Sequence, residues 1–174
     1  MTTWTAPEAQ RESEPFTGPE RAMLQGWLDW HRQTLLTKCA GLTAEQLKTA
    51  AVQPSNLTLL GLVRHMTEVE RIWFIVRAAG QTPAGDLYVT ADNTDGDFDF
   101  VADADAEADL AAFRAELPAA DKAVADLPLE HEFTTSRGST LSLRWVYIHM
   151  IEEYARHNGH ADLIRERIDG ATGD

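Results

Sequence analysis

Apolar side chains recur at intervals of three and four over four long stretches of this chain and almost nowhere alternate with polar ones, so helices are expected and strands are not. The first stretch, "TGPERAMLQGWLDWHRQTLLTKC", puts Met23, Leu24, Trp27, Leu28 and Leu35 at helical spacing. Thr17 and Glu20 stand at capping-box distance, and Pro19 occupies an early position where its missing N–H costs nothing. "GLTAEQL" then reads as a turn and one short helical turn capped by Thr43. The second stretch, "PSNLTLLGLVRHMTEVERIWFIVRAAG", carries the stripe Leu62, His65, Val69, Ile72, Val76 and stops at Gly80. A loop rich in Asp, Gly and Asn is expected from Gln81 to Asp105. "EADLAAFRAELPAADKAVADL" is the third stretch, and Pro118 in its middle should kink or split it. "HEFTTSRGSTLSL" reads as a polar connection with a β-turn or small hairpin. The last stretch, "LSLRWVYIHMIEEYARHNGHADLIRERI", runs without proline to Asp169 and Gly170.

These elements predict an all-α protein, a four-helix bundle with a long acidic loop between the second and third helices. Residues 1–16 read as a polar arm and 17–170 as one bundle domain. The composition agrees: 174 residues, 44% of them apolar, suit a single domain. No apolar run approaches the roughly 18 residues a membrane span needs, and the first residues show no basic patch followed by an apolar stretch. One cysteine, Cys39, cannot form an intramolecular disulfide, and its helical setting makes it a small buried apolar group. The expected compartment is the cytoplasm. With 28 acids against 15 Lys and Arg the formal net charge is −13, which disfavours nucleic acid and membrane partners.

The chemistry is concentrated in the last helix. At about 100° per residue, Val146, His149, Met150, Glu153, His157, His160, Ala161, Ile164 and Ile168 share roughly a third of a turn. Polar and apolar members alternate along that stripe, so the polar ones are expected to head inward. An ionised carboxylate so placed costs several kcal/mol unless an ion pair or a bound cation offsets it. His65 lies on the apolar stripe of the second helix, and facing helices of a bundle build metal sites from inward side chains. His65, Glu153 and His157 would supply two imidazoles and one carboxylate, a set that suits zinc, nickel or iron and leaves a coordination position open. The plainer readings are a hydrogen-bonded Glu–His pair and a satisfied core histidine. Neither HExxH nor a paired-cysteine motif occurs. Setting Gly96 at the sixth position of a calcium loop puts Ala91 first and Ala102 twelfth, so the acidic segment is read as a solvated loop.

"LVRHMTEVERIWF" and "LRWVYIHMIEEYARHNGHADLIRERIDG" resemble the two signature helices of the DinB-like superfamily, and more closely a subgroup ending in "EEYARHNGHADLIRE". The resemblance spans roughly residues 17 to 170 and is specific at those two helices. It implies a four-helix bundle, often a homodimer, holding a divalent metal through one ligand from the second helix and two from the last. Here those positions are His65, Glu153 and His157, with zinc the first choice and nickel or iron the others. Many relatives have His where Glu153 stands, whereas those similar to mycothiol-dependent maleylpyruvate isomerase have Glu. Relatives of the mycothiol and bacillithiol S-transferase kind transfer a low-molecular-weight thiol to a small electrophile, so mycothiol is the implied cosubstrate. A cation beside a thiol favours the nucleophilic thiolate. His160, where many relatives carry Gln, would support the site by hydrogen bonding. His149, one turn before Glu153, would orient that carboxylate or serve as a fourth ligand. His31 and His131 have no comparable setting. The alternative function is a non-catalytic metal- or ligand-binding protein of the same fold.

Overall fold

Four long helical rods carry the fold in the computed structural model, which describes residues 3–173. They are α1 (Glu20–Cys39), α3 (Leu59–Glu70) with its π-helical continuation Arg71–Ala78, α5 (Ala106–Val124) and α6 (Leu143–Asp169). Two single-turn helices, α2 (Ala44–Leu47) and α4 (Gly96–Asp99), sit in the connections. α1 packs along α6, α3 packs along α5, and α3 also meets α6. Among the described residues the only strands are β1 (Glu132–Thr134) and β2 (Thr140–Ser142), an antiparallel hairpin with Phe133 opposite Leu141. The protein is therefore all-α. No described helix is long and apolar enough to cross a membrane.

Local chemistry explains most of the boundaries. Thr43 and Gln46 form a reciprocal capping box on α2. The Ser142 side chain accepts from the Trp145 N–H to start α6, and Gly170 closes that helix at φ 79°, a conformation that favours glycine. The capping box expected at Thr17 and Glu20 does not form. Pro19 itself is the N-cap of α1, no side chain caps it, and Glu20 instead accepts from Arg144 at 2.6 Å. Residues expected as a polar arm lie against the α1–α2 turn, where Ala6 exchanges backbone hydrogen bonds with Leu42 and Gly41.

Pro118 does not split α5, which is helical from Ala106 to Val124. Phe113 before it and Ala120 and Val124 after it are fully buried, so packing on both sides holds the turn that lacks a hydrogen bond. The second rod departs from its expected stripe. Val76 is 41% exposed, whereas Leu59, Leu62, Val63, Met66 and Phe74 are buried. The π-helical stretch adds a residue per turn, seen in Ala79 N–H donating to the Phe74 carbonyl, and this rotates Val76 outward.

A polar cluster lies inside the apolar core. Arg32 of α1 donates to both carboxylate oxygens of Glu70 on α3, at 2.7 Å each, and Tyr154 of α6 donates to the same carboxylate at 2.8 Å. Arg32 also reaches Asp121 of α5 at 2.9 Å, so all four rods meet at one guanidinium. Arg32, Glu70 and Tyr154 are essentially without solvent exposure. Burial, and then the Glu70 carboxylate, push the Tyr154 hydroxyl well above its ordinary pKa, which keeps it a donor.

The segment after the second rod is only partly the solvated loop expected. Glu68 accepts from the Tyr88 and Val89 N–H groups at 2.6 and 2.7 Å, and Arg64 donates to the Gly96 carbonyl at 2.9 Å. Asp97 is buried. A Cβ at Gly96 would collide with the Tyr88 carbonyl oxygen, so only glycine fits there.

Removing one partner of the core pair leaves the other charge buried and alone. Glu70→Ala is expected to lower the free energy of unfolding by about 3–5 kcal/mol, read as a fall in the urea midpoint.

Candidate metal centre

The two rods that carry the conspicuous histidines come into contact, and three side chains converge where they do. Glu153 and His157 are one turn apart on α6, and His65 faces them from α3. Their potential ligand atoms all lie within 4.8 Å of one another. Nε2 of His157 is 3.4 Å from a Glu153 oxygen, and the His65 and His157 rings are 4.8 Å apart, edge to face. Among the described residues no Lys or Arg forms a salt bridge with Glu153.

The cluster is not deep in the core as the stripe implied. The buried residues of α6 are Leu143, Val146, Tyr147, Met150, Tyr154, Asn158, Ala161 and Ile164, centred roughly a quarter turn from the histidines. His65, Glu153 and His157 keep 24%, 20% and 12% of their side-chain surface exposed, so they form the edge of the core and reach solvent. The stripe contained the residues that converge, but its centre was misplaced because Tyr147, Tyr154 and Asn158 did not enter it.

Each ligand candidate is held from outside. Asp97 Oδ2 is 2.8 Å from Nδ1 of His65, and the Phe98 ring stacks on the same imidazole at 5.1 Å. His149 stacks on Trp145 and meets the edge of Trp73, with its Nε2 3.6 Å from the second oxygen of Glu153. The ring of His160 lies 5.5 Å from that of His157. His149, Glu152 and Glu153 also bring ligand atoms within 4.8 Å, but Glu152 is exposed and paired with Arg156.

Burial first, then His65 and His160, push the His157 imidazole down to about 4, and burial lowers His149 against the opposing pull of Glu153. Both rings are therefore neutral at pH 7. Nδ1 of His157 and Nδ1 of His160 are buried with no hydrogen-bond partner. A carboxylate flanked by neutral imidazoles and, among the described residues, paired with no Lys or Arg is a donor set that a divalent cation fits.

The remaining candidates are structural. His131 is 3.0 Å from the Ala78 carbonyl. His31 packs on Trp30 and is lowered by burial, while Asn158 donates to its carbonyl at 3.0 Å. A cleft of about 400 Å³ lined by Trp30, His31, Thr34 and Asn158 lies along α1 and α6 and includes none of the three converging residues. Sequence spacing missed Asp97, Phe98, Trp73 and Trp145. Asp97 and Phe98 sit in a segment without periodicity, and the two tryptophans read as ordinary packing residues.

Residues 23–170 match the family described as mycothiol-S-transferase. No curated protein and no solved structure matches the chain.

Cys39 is fully buried, and burial raises its thiol to about 12. It cannot serve as a nucleophile, so any thiol chemistry needs a thiol from outside the chain. A disulfide-exchange thiol titration is expected to detect almost none in the native protein over minutes, and the single cysteine after denaturation in urea.

Proposed function

The chain belongs to the mycothiol-S-transferase family, and on that premise we propose that it is a divalent-metal-dependent transferase moving mycothiol onto small electrophiles. The observation that carries the proposal is the convergence of His65, Glu153 and His157 from two rods, with their ligand atoms within 4.8 Å and, among the described residues, no Lys or Arg paired with the carboxylate. We read the four rods as a DinB-like four-helix bundle over residues 17–170, working in the cytoplasm.

His65, Glu153 and His157 would hold the cation, zinc first and nickel or iron otherwise, through two imidazole nitrogens and a carboxylate oxygen. A divalent cation bound there supplies charge that favours the thiolate of the cosubstrate over the thiol. The remaining work belongs to the chain. Asp97 and Phe98 hold the His65 ring by its edge and its face. His149, packed between Trp73 and Trp145, orients the outer oxygen of Glu153. His160 packs beside His157 and limits its rotation. Because the three residues lie at the edge of the core, a thiol and an electrophile can both approach from solvent. In the net reaction the thiol S–H breaks, a sulfur–carbon bond forms to the electrophile, and the proton leaves with the displaced group, or is added to the product where nothing is displaced.

The test starts from protein stripped by a chelator and reloaded with zinc, nickel or iron. Elemental analysis is expected to find one ion per chain, and metal at about a hundred times its Kd should add about 2.7 kcal/mol of stability, seen as a higher melting temperature. The loaded protein should transfer mycothiol to a fluorogenic alkylating agent, and His157→Ala should lose both the ion and the transfer. Fully metallated protein that transfers no thiol would leave a binding protein and overturn the enzymatic reading.

A further inference from the structure

α4 is four residues long and lies in the segment whose composition suggested a solvated loop, yet it presses two side chains onto one imidazole. Asp97 meets His65 at Nδ1, 2.8 Å away, and Phe98 covers the ring face with an interplanar angle of 29°. The placement is built from several directions. Arg64, one residue before His65, donates to the Gly96 carbonyl at 2.9 Å, and Gly96 fits so tightly under the Tyr88 carbonyl that no side chain is tolerated. Phe98 also rests against Gly61 one turn earlier on α3, where a Cβ would come within 3.0 Å of the Phe98 ring. Asp97 Oδ1 accepts from the Phe98 N–H at 3.1 Å, which leaves Oδ2 for the imidazole. Val101, just beyond α4, is buried and anchors the far side.

A carboxylate is acceptor-only when ionised, so it selects the form of the imidazole that carries its proton on Nδ1. Nε2 is then the nitrogen with a free lone pair. An imidazole gripped at one edge and one face has little freedom about its χ2 torsion. A cation must otherwise meet both costs, choosing the tautomer and freezing the ring.

We propose that Asp97 is a positioning residue of the metal centre, fixing the tautomer and orientation of His65 so that Nε2 is the ligating atom, and that α4 is therefore a functional element. The inference rests on the reading of His65 as a ligand. Partners of this kind change metal affinity by about 10–100-fold when removed. Asp97→Asn keeps the shape and could still offer an oxygen, but its amide can equally donate to Nδ1 and so no longer selects the tautomer.

The experiment is a competition titration of Zn²⁺ against a chromophoric chelator, with the visible spectrum of the Co²⁺ form as a second readout. Asp97→Asn and Asp97→Ala are expected to weaken zinc binding by about 10–100-fold and to shift the Co²⁺ bands. Phe98→Leu, which loosens the ring but keeps the carboxylate, is expected to leave the His65 proton on Nδ1, and its loss from Nδ1 there would overturn the assignment of the tautomer to Asp97. In metal-free wild type, long-range ¹H–¹⁵N spectra should show the His65 proton on Nδ1, a readout that survives even if the variants do not fold. Wild-type affinity in Asp97→Asn, or a His65 proton on Nε2, overturns the role of Asp97. His65→Ala separates the two readings. If it still binds metal as wild type does, the metal assignment itself falls. If it loses metal while Asp97→Asn does not, only the positioning role falls.

Discussion

The buried contact between Arg32 and Glu70 sets the geometry on which everything else depends. One guanidinium, without solvent exposure, bonds carboxylates on α1, α3 and α5, and Tyr154 of α6 completes the Glu70 carboxylate. A charge pair in such a place is tolerable only when every partner is in register, since its loss leaves a bare ion in an apolar core. Apolar packing already resists sliding and rotation of the rods, and this cluster adds charge-assisted bonds of fixed direction. Glu70 lies on the rod that bears His65, and Tyr154 is the neighbour of Glu153. The Tyr154–Glu70 hydrogen bond that ties α6 to α3 thereby also helps set the separation of the residues proposed to hold a cation.

The same arrangement accounts for the site's position at the edge of the core. Tyr147, Tyr154 and Asn158 take the central face of α6, and the histidines and Glu153 are displaced to its margin. That margin is dry enough to keep His157 neutral and its Nδ1 without a partner, and open enough to admit small molecules. A fully buried site would shut out thiol and electrophile, and a fully exposed one would leave the imidazoles hydrated. Cys39, by contrast, lies wholly inside, where burial silences its thiol.

The acidic segment is tied to the candidate site as well. Its composition suggested a solvated loop. Arg64 and Glu68, which flank His65 on α3, hold it by backbone groups, so the segment is fastened to the very turn that carries the histidine. The order of the segment and the order of the His65 ring are linked through Asp97 and Phe98.

Much of this protein was legible in its sequence, and the rest was not, for one physical reason. Helical period, the Thr43 cap, the Gly170 stop, the hairpin after the third rod and the one-turn spacing of Glu153 and His157 are local, written within a few neighbouring residues. The all-α class follows from them. Outcomes that depend on distant partners went astray. Glu20 took Arg144 in place of a cap, core packing carried α5 through Pro118, and a π-helical stretch turned Val76 outward. Arg32 and Glu70 are 38 residues apart, and His65 and Asp97 are 32 apart, separations at which periodicity carries no information. The sequence by itself determined which residues could share a helical face. Only the tertiary structure decided which edge of that face turns inward and what grips it, because burial and hydrogen-bond partners are set by the neighbours a helix meets after the chain has closed on itself.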